Sequence, residues 1–136
     1  MLSPYLFCGL TPAGMRQHLV RTGLQRLDLQ RVSDDPDAFV KHLVCERMGI
    51  SVVDLESKCR KRHYVLARRM HVTLMRAFSS YTYTRIASTL NRDHSTIMYQ
   101  HDAMLDDLEV GNYPAEVYRE LHAQLEAVIE EQEQEQ

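Results

Sequence analysis

Along most of this chain the apolar positions recur at three- and four-residue steps, the period of helices packed by one face. Phe39, Val40, Leu43, Val44 and Met48 share a face behind the turn cluster Ser33-Asp34-Asp35-Pro36, and Gly49 ends that helix as a left-handed terminator. Ser51, with Asp54 three residues on, opens a short helix through Leu55 in the manner of a capping box. A bend from Lys58 to Arg62 leads into a long helix from about His63 to Ser79. That helix turns Leu66, Met70, Leu74, Ala77 and Phe78 inward and leaves Arg68, Arg69 and Arg76 off that face.

The pattern then changes to two helices in quick succession. Ile86, Ala87 and Leu90 line one face of the run from Thr82 to Leu90, with small or hydroxylated residues opposite. Asn91 and Arg92 make a tight connection, and Asp93 is placed to cap the next helix by accepting from one of its free amides. Ile97, His101, Met104, Leu105 and Leu108 form the inward stripe of that helix. Ser95, Thr96, Tyr99 and Gln100 lie off the stripe near its start, where the second helix of a helix-turn-helix presents side chains to base edges. The architecture expected is therefore all-α, a helix-turn-helix domain over residues 34–110 with helical extensions at both ends.

Those extensions, residues 1–33 and 111–136, are less defined. Residues 1–10 have no periodicity and suggest a loose arm. Thr11-Pro12 opens a helix whose face, Leu19, Val20, Leu24 and Leu27, is interrupted by Gly14 and Gly23. It suits either packing on the domain or docking another protein. Beyond the break Gly111-Asn112-Tyr113-Pro114, a narrow seam of Val117, Leu121, Leu125, Val128 and Ile129 could pack on the domain or pair with a second copy of the chain. Residues 130–136 are acidic and of low complexity, an expectation of disorder.

Charge sharpens this picture, because a net charge of −3 conceals strong segregation. Residues 1–57 carry six Lys/Arg and seven Asp/Glu, residues 58–101 carry nine and one, and residues 102–136 carry one and eleven. A basic centre around a helix-turn-helix favours a polyanion partner. An acidic tether beside it would compete with phosphate for the same cations, which makes restraint of non-specific DNA binding one expectation and simple solubility the other. The three cysteines, Cys8, Cys45 and Cys59, share no CxxC spacing, so neither a disulfide framework nor a zinc knuckle is indicated, and a reducing cytoplasm fits. The apolar run from Leu2 to Leu10 is interrupted by Pro4 and Gly9 and is too short to span a bilayer.

No Gly-Lys-Ser/Thr phosphate loop is present, and adjacent Ser, His and Asp residues at one helix start cannot form a triad, so no catalysis and no cofactor are expected. His94, His101 and the cysteines lack ligand spacing, and a hydrogen-bonded core role is the more usual one for His101.

Three blocks, Ile50 to Lys58, then Arg60-Lys61-Arg62 with Ala67-Arg68-Arg69-Met70, then Arg92-Asp93-His94-Ser95-Thr96-Ile97, resemble in order and spacing the carboxy-terminal DNA-binding domain of the bacterial replication initiator DnaA. The likeness covers roughly half the chain, from about Val40 to Leu108, with one glycine-like position missing before Arg92. It implies a Trp-repressor-like fold, without the initiator's nucleotide-binding motor. It further implies that Asp93, His94 and Ser95 read bases, that Thr96 holds a phosphate, and that Arg60 enters the minor groove. For Asp93, capping and base reading can coexist. Lys58, Lys61, Arg62, Arg68 and Arg85 are candidates for phosphate contacts, some of which are expected to pair with acidic side chains instead. Arg92, Tyr99 and Gln100 complete the candidate surface. Tyr83 and Thr84 stand where the family has a Leu-Pro pair touching thymine methyls, so the sequence read is expected to differ from the initiator's box.

The expected function is sequence-specific binding of double-stranded DNA in the cytoplasm, at the nucleoid, regulating replication initiation or transcription in a bacterium, phage or plasmid. The rival expectation is a protein-interaction module using the same fold to modulate a replication protein, through the N-terminal arm or the acidic end.

Overall fold

The computed structural model describes residues 28–134, and the expected helix after Thr11-Pro12 lies outside them. Among the described residues there are six α-helices and no strand: α1 (Pro36–Met48), α2 (Val52–Glu56), α3 (Arg62–Phe78), α4 (Tyr83–Leu90), α5 (His94–Val110) and α6 (Tyr113–Gln134), preceded by a 3-10 turn at Leu29–Arg31. The fold is all-α with a helix-turn-helix at α4–α5, as the periodicity indicates.

Local chemistry sets the boundaries. The Asp35 carboxylate accepts from the Ala38 amide at 3.2 Å and Pro36 occupies the first helical position of α1, which ends at Gly49 with φ of 70°. Only glycine takes that left-handed conformation without strain. The Ser51 hydroxyl accepts from the Asp54 amide to start α2, and the Thr82 hydroxyl accepts from the Arg85 amide to start α4. Gly111, at φ of 79°, ends α5.

α3 is the central helix, packed between α1 and α5, with α6 also against it. It is therefore buried almost all round: besides Leu66, Met70, Leu74 and Phe78, it encloses Ala67, Val72 and Met75. Arg68 follows from the same geometry and departs from expectation. It is 2% exposed and turned into the protein rather than out of it.

The seam of α6 packs on the domain. Val117, Tyr118, Leu121, Leu125 and Ile129 are buried in the same core as α3 and α5, and Leu29 joins them from the 3-10 turn. Arg47 on α1 adds an ion pair at 2.8 Å with Glu120. The break expected at residues 111–114 is a tight turn at Gly111 and Asn112, both donating to the Asp107 carbonyl, while Tyr113 and Pro114 already belong to the first turn of α6. Helix continues through Gln134, so most of the acidic stretch expected to be disordered extends α6 instead.

A polar network crosses the core beside α2. The Lys41 ammonium lies 2.9 Å from Asp37 Oδ2, 2.9 Å from Glu56 Oε1 and 2.8 Å from the Thr89 carbonyl near the end of α4. Asp37 Oδ1 takes a second bond, 2.9 Å long, from Nε2 of His71, which is fully buried. Burial pushes the Asp37 pKa up, but the hydrogen bond from His71 and its charge once protonated, followed by the bond and charge of Lys41, outweigh it and hold the carboxyl at about 2. For His71 burial dominates over the carboxylate and holds the pKa down, so the ring is neutral, with Nε2–H donating and Nδ1 unpartnered. Four elements, α1 to α4, are thereby tied at one point.

Candidate nucleic-acid interface

The site is assembled from two short segments, the basic bend before α3 and the turn into α5. In the bend, Ser57 leaves α2 in extended backbone, its hydroxyl donating to the Asp54 carbonyl at 2.7 Å and accepting from the Cys59 amide at 3.3 Å. A helix this short leaves carbonyls without intrahelical partners, and Arg68 supplies them from below. Its guanidinium donates to the carbonyls of Leu55 at 2.7 Å, Cys59 at 2.7 Å, Ser57 at 2.8 Å and Asp54 at 3.2 Å. Burial, and then the nearby charge of Arg92, pull its pKa below the usual arginine value. Arg68 thus braces the bend rather than reaching out to a phosphate. Lys58, Arg60, Lys61 and Arg62 are exposed along it, with the Lys61 ammonium 5.8 Å from the centre of the Tyr64 ring.

In the turn, Asn91 takes the left-handed conformation at φ of 55°, which asparagine tolerates better than most residues. The Arg92 amide donates to the Ala87 carbonyl at 3.0 Å. Asp93 occupies the N-cap position of α5, yet its carboxylate makes no capping hydrogen bond, so that part of the expectation fails. His94 and Ser95 are exposed, Thr96 is half-buried, and Tyr99 is 67% exposed.

Gln100 departs from expectation. It is 8% exposed with its Oε1 unpartnered, because α5 is covered by α3 and α4 over a wider arc than the apolar stripe suggests. His101 is half-buried at the edge of the core and hydrogen-bonded, with Nδ1 at 3.3 Å from the Thr73 hydroxyl and its ring near Tyr83.

The start of α4 borders this surface with two stacked cation pairs. Arg85 lies 3.8 Å from the centre of the Tyr81 ring and Arg76 lies 4.3 Å from that of Tyr83. Thr84 and Arg85 are exposed and Tyr83 is half-buried.

Bend and turn are joined directly. The Lys58 ammonium donates to the Asn91 carbonyl at 3.1 Å, and the Arg92 guanidinium donates to the Ser57 carbonyl and to the Leu90 carbonyl at 3.0 Å. Between them opens a cleft of about 400 Å3 lined by Lys58, Ser88, Asn91, Arg92, Asp93 and Thr96, together with Ala87. Ser88 and Asn91 were not among the candidate contact residues named from sequence, nor was Met98, which is 44% exposed beside Tyr99. Ser88 lies four residues after Thr84 and Met98 four after His94, a spacing that puts each pair on one helix face.

The model of the bacterial dnaA protein helix-turn-helix matches residues 38–103, the span from α1 to the middle of α5. Residues 38–103 are a DnaA-type helix-turn-helix domain. Among curated proteins, the chromosomal replication initiator protein DnaA of Pelobacter propionicus is 29% identical over 82 residues, covering 60% of this chain and 18% of that one. DnaA of Desulfotalea psychrophila is 30% identical over 78 residues, covering 54% and 16%, and that of Geotalea uraniireducens 24% identical over 120 residues, covering 85% and 27%. The chain therefore corresponds to between 16% and 27% of the length of these DnaA proteins, and the likeness is to their helix-turn-helix domain. The bend, the turn and the N-terminal end of α5 all fall within the DnaA-type domain, whereas α6 follows it.

Proposed function

We propose that this protein binds double-stranded DNA sequence-specifically through its DnaA-type domain. The start of α5 enters the major groove, and the basic bend reaches the adjoining minor groove. The observation that carries this is the joining of two exposed segments. His94 and Ser95 at the helix start, and Arg60 to Arg62 in the bend, are held in one piece by Lys58 and Arg92. Asp93, with its carboxylate not spent on capping, can accept from a cytosine amino group, while His94 and Ser95 contact neighbouring base edges. Thr96, Lys58, Lys61, Arg62 and Arg85 face phosphates. Arg68 and Gln100 act from inside, supporting the surface. Tyr83 and Thr84 adjust which sequence is read. The outcome is regulation of replication initiation or transcription at the nucleoid.

Selection of bound sequences from a random duplex library is the test. Enrichment of a defined motif, with affinity falling steeply as salt rises, is the expected result. No enrichment together with salt-insensitive retention would refute it. A second reading, a module that contacts a replication protein, draws on Val110 and Tyr113, which are 70% and 59% exposed around the α5–α6 turn. It requires that DNA binding be absent or indifferent to sequence.

A further inference from the structure

Arg92 was expected to touch DNA, but its guanidinium is committed elsewhere. It stands in the turn between α4 and α5 and donates to three carbonyls: Leu90 at 3.0 Å and Asn91 at 3.4 Å in its own turn, and Ser57 in the basic bend. The Ser57 carbonyl also receives Arg68 at 2.8 Å, so two guanidinium groups from different elements converge on one backbone oxygen. Lys58 crosses in the opposite sense, from the bend to the Asn91 carbonyl. Among the described residues, no ion pair links either arginine to a carboxylate. A fork of fixed planar geometry suits this task, because it can span carbonyls of two segments at once.

We infer that Arg92 is a positioning residue, fixing the basic bend relative to the start of α5 so that minor-groove and major-groove contacts are made together. The inference rests on the DNA-binding function proposed above. It assigns Arg92 a role through backbone carbonyls instead of through a phosphate. Rigid coupling matters because two contacts on one ligand reinforce each other only when the spacing between them is already set. With the fork removed, the bend is free to move away from the helix, and Arg60 no longer pays back its full contribution.

Two measurements on the full chain test this. The first needs no DNA: amide hydrogen exchange at Ser57 and Cys59, the bend amides that donate hydrogen bonds, in wild type, Arg92→Ala and Arg92→Lys. Both variants should exchange roughly tenfold faster there, with protection in α3 and α5 retained. Unchanged exchange in the bend overturns the inference whatever the protein binds. The second uses the duplex selected from the random library, with the four proteins of the cycle wild type, Arg60→Ala, Arg92→Ala and the double variant. Positioning requires that Arg60→Ala cost much less in the Arg92→Ala background than in wild type. It also requires that Arg92→Lys, which keeps the charge but not the fork, fail to restore affinity, and that the salt slope in the Arg92 variants stay near the wild-type value. Additive losses, with full rescue by lysine and a slope lower by about one, identify Arg92 as a phosphate ligand and overturn positioning. A wild-type chain that selects no duplex refutes the DNA-binding reading instead, while the exchange result still decides whether Arg92 holds the bend.

Discussion

Replacing Lys41 by methionine removes the ammonium that joins Asp37, Glu56 and the Thr89 carbonyl, while keeping most of the side-chain volume. The Lys41 side chain is 7% exposed and that of Asp37 12%, so solvent cannot replace the lost contacts, whereas the Glu56 side chain at 36% can rehydrate. Breaking a buried pair from one side costs about 3–5 kcal/mol. Because Glu56 recovers water, the lower end, about 3 kcal/mol, is the expected loss. Urea unfolding followed by circular dichroism at neutral pH measures it.

The acid limb supplies a second readout. Asp37 is held at about 2 in the folded state against 3.8 ordinarily. Its contribution of about 2 kcal/mol is thus present above pH 3.8 and is lost as pH falls toward 2. His71 acts in the same direction at milder pH. Its pKa is depressed by burial, so below about 6.5 the unfolded chain gains a proton that the folded one refuses, and stability declines. In Lys41→Met the Asp37 pKa should rise and the acid transition move to higher pH. The double variant Lys41→Met with Asp37→Leu, which removes the stranded carboxylate, should recover part of the loss. A Lys41→Met protein within about 0.5 kcal/mol of wild type, with an unmoved acid limb, would refute the assigned role of the network.

Arg60→Ala and His94→Ala should each weaken specific binding by about 1–3 kcal/mol while leaving random duplex little affected, measured by gel shift on both DNAs. Lys61→Ala should instead weaken all sequences alike and lower the salt slope by about one unit. Ile86→Asp, at a position with no exposed surface, should abolish the helical melting transition, and a variant that melts like wild type would place Ile86 outside the core. Truncation after Pro114 removes Val117, Leu121, Leu125 and Ile129 from the core, so circular dichroism should show a large loss of stability and not just an unmasked basic face.

Periodicity made the main helices legible because each helix buries a stripe, and Leu90, Ile97, Met104 and Leu108 fall inward as that rule requires. It misled where a helix is covered on several sides. Arg68 on α3 and Gln100 on α5 look outward on a helical wheel, and only the neighbouring elements reveal that they are enclosed. The polar network of Asp37, Lys41 and His71 left no trace in the pattern, since its partners are 34 residues apart along the chain in the case of His71 and Asp37. The basic bend and the start of α5 could be named from residue types and order. Their mutual fastening could not, because it runs through backbone carbonyls that any residue supplies.

The connection from α4 to α5 has just three residues, Asn91, Arg92 and Asp93, and every one has a conformational or bonding task. Such a turn has no slack to absorb an insertion, since an added residue would displace the left-handed Asn91 or break the backbone bonds that close the turn. Under the proposed function, variation in the sequence read would fall on side-chain exchange at exposed positions outside this turn, such as Thr84, Ser95 and Tyr99. The same constraint makes the domain a convenient frame for retargeting: libraries confined to those positions would explore new specificities without re-solving the backbone.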